Sequence, residues 1–252
     1  MKALIEGKTI VKTFGKAEEM TTALSDVDIT IMEGEFVAVM GSSGSGKSTL
    51  LYSVSGMDAI DSGSVLFDGK ELSEMGENEL SDLRRTRMGF VFQQPTMLKN
   101  LNLLDNIILP SVGGDRRNTN ALVDKAKLLM EEMGIAGLEE RDITEVSGGQ
   151  LQRAGICRAL VGNPKVLFGD EPTGALNSAA SAEIMEILLR INANGTTIML
   201  VTHDPKIAAA AERTLFMRDG KIKAELRLSK YDGTNLEDRI NRVSEEMLEI
   251  GV

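Results

Sequence analysis

Residues 41–49 read Gly-Ser-Ser-Gly-Ser-Gly-Lys-Ser-Thr, with Glu35-Phe36-Val37-Ala38-Val39-Met40 before them and Leu50-Leu51-Tyr52-Ser53-Val54 after. The upstream stretch is apolar and β-branched, as in a strand buried on both faces of a parallel sheet, and Ser48 to Val54 is suited to start a helix. Gly41, Gly46, Lys47 and Ser48 fill the pattern G-x-x-x-x-G-K-[ST] in the strand, loop and helix context that it requires. Glycines at 41, 44 and 46 let the backbone curl so that N–H groups converge on phosphate oxygens, and the helix N-terminus adds its partial positive charge. Ser42, Ser43, Ser45 and Thr49 complete this cradle. Lys47 is expected to reach the β- and γ-phosphates of a nucleotide and the Ser48 hydroxyl to ligate Mg²⁺. A glycine-rich surface turn is the alternative, and the flanking strand and helix argue against it.

Bulk properties narrow the field. With 252 residues and 42% hydrophobic content, the chain can build one large domain or two small ones. Its 28 Lys and Arg against 38 Asp and Glu give a net charge of −10, which disfavours a nucleic-acid partner bound by phosphate neutralisation. Met1 to Gly7 lacks the apolar core of a signal peptide, and no uncharged apolar run approaches the ~18 residues that span a bilayer. A soluble acidic protein is expected, reaching a membrane only through a partner. The single cysteine, Cys157, excludes an internal disulfide and fits a reducing cytoplasm; it reads as a small buried helix residue rather than a reactive thiol.

Outward from the loop, residues 3–14 and 26–40 read as strands, and Val65-Leu66-Phe67-Asp68-Gly69 as a strand ending in a turn. Together they suggest an N-terminal β-rich layer. From Ser73 to Arg87 the pattern is polar and helical; Met88 to Phe92 is a short buried strand stopped by Pro95. Residues 105–160 are mostly helical, with apolar Leu122, Ala126, Leu129 and Met133 on one helix face and Gly134 as its C-cap. The α/β core then resumes: strands Val166 to Gly169 and Thr197 to Val201 flank a helix from Ala179 to Ile191. An amphipathic helix from Asn235 to Ile250 groups Leu236, Ile240, Val243, Met247 and Ile250.

Four further features carry chemistry. Asp170 and Glu171 follow strand 166–169 directly, at the carboxyl end where α/β sheets bind ligands. Asp170 is suited to hold a hydrated metal and Glu171 to orient or deprotonate an attacking water, although an acidic pair alone marks a solvated strand end as readily. His203, the only histidine, follows strand 197–201, from which an imidazole could donate to a γ-phosphate; a lone histidine is more often an ordinary packed or surface residue. Gln93 ends another strand and offers an oxygen to Mg²⁺, or is simply a turn glutamine. Ser147-Gly148-Gly149-Gln150 precedes a helix expected near Leu151, giving either a second anion site or a plain helix cap.

P-loop, Gln93, Ser-Gly-Gly-Gln, the hydrophobic strand ending in Asp-Glu, and the strand-end histidine stand in the order and spacing of the ATP-binding subunits of ABC transporters, which residues 1–225 resemble. The segment Val91 to Pro110 and the block Asp170-Glu171-Pro172-Thr173-Gly174-Ala175-Leu176-Asn177-Ser178-Ala179-Ala180-Ser181 look like the branch serving lipoprotein release, macrolide export and antimicrobial-peptide resistance. The tail looks closest to the peptide-resistance members.

The resemblance implies a P-loop α/β core of mixed sheet, with an antiparallel N-terminal layer and a helical subdomain inserted at about 95–160. The ATP-binding domain would span 1–226 and a helical tail 227–252. ATP and Mg²⁺ are the implied ligands. Two copies would sandwich ATP between the P-loop of one and Ser147 to Gln150 of the other, and Phe14 would stack on adenine unless it is a core phenylalanine. A separate membrane permease, met near Gln93 to Asn106, is implied, with the ATPase on the cytoplasmic face of the membrane. Asn177 stands where the family usually has Asp, and Val146 where it usually has Leu. Asn177 is the one feature favouring an alternative, an ATP-dependent sensor or mechanical regulator that moves no substrate. An ABC ATPase acting on DNA or ribosomes would need a coiled-coil insert or paired halves that this chain lacks, and a P-loop kinase would leave Ser-Gly-Gly-Gln without a task.

Overall fold

The computed structural model describes residues 2–15, 20–112 and 119–251. In chain order, β1 (Ala3–Phe14), β2 (Thr21–Met32), β3 (Phe36–Gly41), α1 (Lys47–Val54), β4 (Ser62–Phe67) and β5 (Lys70–Glu71) come first. Next are α2 (Glu77–Arg87), β6 (Met88–Phe92), α3 (Leu103–Ile108), α4 (Thr119–Glu132), α5 (Gly148–Leu160), β7 (Val166–Asp170) and α6 (Ser178–Ala193). The chain closes with β8 (Thr197–Val201), α7 (Pro205–Ala208), β9 (Arg213–Arg218), β10 (Lys221–Arg227) and α8 (Leu236–Ile250). Two compact units result, Met1–Leu80 with Asn192–Val252, and Ser81–Ile191.

In the first unit, β2, β1, β4 and β5 form an antiparallel sheet in that order. Alternation sets its faces: Val27, Ile29 and Ile31 of β2 are buried while their neighbours are not. The strands β10, β9, β3 and β8 lie side by side, with β3 parallel to both β8 and β9. Every residue of β3 and β8 is buried, which is why both read as unbroken apolar runs. At the start of β3 and β9, Glu35 and Arg213 pair, with Nε 2.6 Å from Oε1 and Nη2 donating to Oε2 at 3.0 Å. The Nη2 hydrogen bond and the ion pair together offset the desolvation of both charges.

The second unit holds the parallel pair β6 and β7, in register from Met88 with Val166 to Phe92 with Asp170. Phe90 stacks on Phe168 with ring centroids 5.4 Å apart. α5 packs on β6. α4 buries Ala126 and Met130 and stops at Gly134, whose φ of 66° suits the left-handed cap position. Lys125 Nζ donates to the carbonyls of Leu160 (3.2 Å) and Val161 (2.8 Å), closing the C-terminus of α5.

Several boundaries differ from expectation. The run 26–40 is two strands parted by a turn at Glu33 and Gly34, and β2 begins at Thr21. The helix sought from Ser73 starts at Glu77, after a 3₁₀ turn over Leu72–Glu74. The helix expected near Leu151 starts at Gly148. The hairpin β9–β10 was unforeseen, although its turn residues Asp219 and Gly220, with φ of 50° and 71°, are the pair that a tight hairpin needs. In α8 the buried residues are Val243 and, against the apolar pattern, Arg239; Leu236 is 39% exposed. Residues 113–118, part of the stretch read as helical, lie outside the described residues.

Candidate functional site

In the first unit the P-loop leaves the carboxyl end of β3 and enters α1. Gly46 has φ 100°, and a Cβ there would sit 2.4 Å from the Ala23 carbonyl oxygen, so conformation and space both demand glycine. It precedes α1 without any side-chain cap hydrogen bond. Lys47 is buried, and its Nζ donates to the carbonyls of Gly41 (2.9 Å) and Ser42 (2.8 Å), folding the loop around the ammonium. Ser42, Ser43 and Gly44 are exposed, Ser48 and Thr49 half-buried. Ser45 Oγ is buried without a hydrogen-bond partner, while its backbone is tied to the β9–β10 turn by Gly220 N donating to Ser45 O at 3.1 Å.

His203 sits at the same strand edge. Val39 of β3 is in register with Val201 of β8, and Thr202 N donates to Val39 O at 3.1 Å. His203, the next residue, is exposed. The adjacent Asp204 caps α7 by accepting from Lys206 N at 2.8 Å. Phe14 is not a core residue: it is 47% exposed, with Lys12 Nζ 5.2 Å from its ring centroid.

In the second unit the last rung of the β6–β7 ladder joins Phe92 to Asp170, so Gln93 and Glu171 emerge together from adjacent strands. Both side chains lie close to Gly174, where a Cβ would be 2.8 Å from Gln93 Nε2 and 3.3 Å from Glu171 Oε2. Glu171 has φ 48°, in the left-handed region. A non-glycine residue adopts that at a cost, and such strain gathers at functional sites. Ser147 to Gln150 form a capping box at the start of α5: Ser147 Oγ accepts from Gln150 N (3.3 Å) and Gln150 Oε1 accepts from Ser147 N (2.8 Å). The helix cap is therefore realised, with Ser147 and Gly148 exposed on it. Asn177 caps α6 in turn, its Oδ1 accepting from Ala180 N at 2.9 Å, a bond that asparagine makes as well as aspartate.

Two contributors escaped the sequence reading. Gln152, 1% exposed, donates from Nε2 to Phe92 O at 3.0 Å and so ties the first turns of α5 to the strand end that carries Gln93. Gly174 supplies the absent Cβ on which Gln93 and Glu171 rest. A buried glutamine and one more glycine carry no motif by themselves. Cys157 is buried, and desolvation pushes its thiol up to about 12.

Residues 24–174 match the family model described as ABC transporter. The chain belongs to the ABC transporter family. It is 44% identical over 222 residues to the macrolide export ATP-binding/permease protein MacB of Neisseria meningitidis serogroup B, covering 87% of this chain and 34% of that protein. The chain thus spans about a third of the length of such curated relatives. An uncharacterized ABC transporter ATP-binding protein of Methanocaldococcus jannaschii is 42% identical over 219 residues, 87% of this chain and 97% of its own length. The dimeric post-hydrolysis structure of an ATP-binding cassette bound to ADP and Pi superposes with a TM-score of 0.80 at 34% identity, over 90% of this chain and all of that one. The fold is that of the ABC ATPases, with the antiparallel layer and helical regions that the family resemblance implied. Among the described residues, no helix of this ABC-family chain is long and apolar enough to cross a membrane.

Proposed function

We propose that this chain is the ATP-binding and ATP-hydrolysing subunit of an ABC exporter, working as a two-fold dimer against a membrane permease from the cytoplasmic face. The observation that carries the reading is the P-loop: an exposed glycine-rich turn at an α1 N-terminus with no side-chain cap, wrapped around a buried lysine. That donor set fits a nucleoside triphosphate, and the orphaned Ser45 Oγ inside the loop is a further polar group awaiting a partner. The acidic and hydroxyl groups Asp170 and Ser48, with the Gln93 amide, are oxygen donors suited to Mg²⁺. Held by these residues, Mg²⁺ would supply positive charge beside the phosphates.

In this reading Gly41, Ser42, Ser43, Gly44, Ser45, Gly46, Lys47, Ser48 and Thr49 hold the triphosphate, and Phe14 stacks on adenine, its exposed ring being accessible for that role. Glu171 orients or deprotonates the attacking water, its carboxylate, like the Gln93 amide, lying close to Gly174. His203 donates to the γ-phosphate. Ser147 to Gln150 of a second copy close over the nucleotide; the dimeric form of the solved cassette similar to this chain supports that arrangement. Residues 1–226 would be the ATP-binding domain, with a helical subdomain near 95–160, and 227–252 a tail. Export is supported by the names of relatives such as MacB, and the permease by their description as ATP-binding/permease proteins. The class of cargo would be peptide, lipoprotein or drug.

The test is Glu171→Gln in the purified chain. Turnover should fall by about 10²-fold, as for loss of a general base, while ATP still binds. Near-normal turnover would remove Glu171 from its role.

A further inference from the structure

Of the charged residues of α8, Arg239 is the buried one, and its guanidinium is spent on backbone carbonyls. Nε donates to Ala209 O at 2.6 Å, Nη2 to Ala211 O at 2.8 Å and Nη1 to Ser229 O at 2.8 Å. The Tyr231 ring lies 5.2 Å from Cζ. A buried cation carries a desolvation cost, and here it is offset by a planar fork whose donors match three acceptors. An apolar residue would fill the same volume and leave those carbonyls without this partner.

Two of the carbonyls it grips, those of Ala209 and Ala211, belong to the segment that leads away from His203. α7 is a single turn, too short to hold a position by itself. Its start is fixed to the sheet through Thr202 N on Val39 O and Asp204 N on Thr202 Oγ1 at 3.0 Å. Its far end continues by Ala209 N on Pro205 O (2.9 Å) and Ala211 N on Ala208 O (3.0 Å) into the residues clamped by Arg239. One continuous hydrogen-bonded path therefore joins α8 to the residues on either side of His203, all within one compact unit.

We infer that Arg239 is a positioning residue: by clamping the Ala209 and Ala211 carbonyls it fixes α7 and thereby the aim of His203 at the strand edge it shares with the P-loop. This rests on the reading of His203 as donor to the γ-phosphate. The tail helix is then part of the catalytic framework.

The experiment measures kcat and KM for ATP in the full chain for Arg239→Met, Arg239→Lys, Val243→Ala, His203→Ala and the double variant Arg239→Met with His203→Ala. Val243 is the fully buried apolar residue of α8, so its truncation loosens the helix without touching the clamp. Arg239→Met should lower kcat by about tenfold, the scale of a sub-ångström misplacement, with KM changed less than about twofold. Arg239→Lys, which keeps the charge but not the fork, should fall between Met and wild type. Val243→Ala should melt earlier with kcat nearly kept, and Arg239→Met should add nothing in the His203→Ala background.

The inference is overturned if Arg239→Met keeps kcat within twofold, if it lowers kcat equally with and without His203, or if Val243→Ala loses kcat to the same degree. Should Arg239→Met fail to fold, Arg239→Lys decides by the same criteria. Wild-type turnover in His203→Ala would instead sink the reading of His203 itself, and this inference with it.

Discussion

Gly174→Ala separates the catalytic arrangement from the stability of the fold. The added methyl would lie 2.8 Å from Gln93 Nε2, 3.3 Å from Gln93 Cδ and 3.3 Å from Glu171 Oε2. Ordinary contact begins near 3.5–4.0 Å, so the Gln93 amide must retreat by roughly 0.7–1.2 Å and the Glu171 carboxylate by roughly 0.2–0.7 Å. The nearest atoms are the far ends of flexible side chains rather than backbone, and the backbone at 174 is not in the left-handed region, so the main chain need not shift. An exposed Gly→Ala change even lowers the entropy of the unfolded chain, leaving a net effect of about 1 kcal/mol or less in either direction. Displacing reacting groups by about 1 Å, in contrast, costs up to ~10²-fold in rate. Steady-state ATPase turnover beside a thermal melt and a nucleotide titration reads the three quantities separately. The expected result is turnover reduced by about 10–10²-fold, with an unchanged melt and affinity. Turnover within twofold of wild type in the folded variant would refute the claim that Gln93 and Glu171 act from this perch.

Lys47→Ala removes the ammonium that ties the Gly41 and Ser42 carbonyls and is proposed to reach the phosphates; affinity for a fluorescent ATP analogue should fall at least about tenfold, and unchanged affinity would contradict the role. Cys157, its thiol pushed up to about 12 by burial, stays protonated at pH 8, so the native chain should resist iodoacetamide there and react once denatured; rapid native alkylation, read by mass spectrometry, would contradict its placement.

Continuous apolar runs made these strands legible: β6 and β8 have the bounds read from residues 88–92 and 197–201, β8 because a strand buried on both faces needs no polar alternation and β6 because its half-buried face is filled by Phe90 and Phe92. The P-loop was equally plain, since Gly46 is required both by its φ and by the Ala23 carbonyl. Motif chemistry located Gln93, Asp170, Glu171 and His203 at strand ends, where the structure has them. The hairpin β9–β10 was readable in its Asp219-Gly220 turn, yet it follows a helix-rich stretch and its outer strand alternates exposed with half-buried residues. Arg239 was hidden for another reason: an apolar-face pattern cannot register a buried arginine whose partners are main-chain carbonyls far away in sequence. The same holds for Gln152, whose acceptor at Phe92 lies sixty positions upstream. α5 starts three residues before Leu151 because the reciprocal capping box of Ser147 and Gln150 lets Gly148 and Gly149 enter the first turn despite their low helix propensity.

The central claim is that each P-loop is half of a site completed by a second copy. Light-scattering mass of the Glu171→Gln chain, with and without saturating ATP and Mg²⁺, tests it most directly. A monomer without nucleotide that doubles in mass with ATP, and no longer doubles when Gly148 is also changed to a bulky residue, is the result this account predicts. A chain that binds ATP and remains monomeric would contradict it.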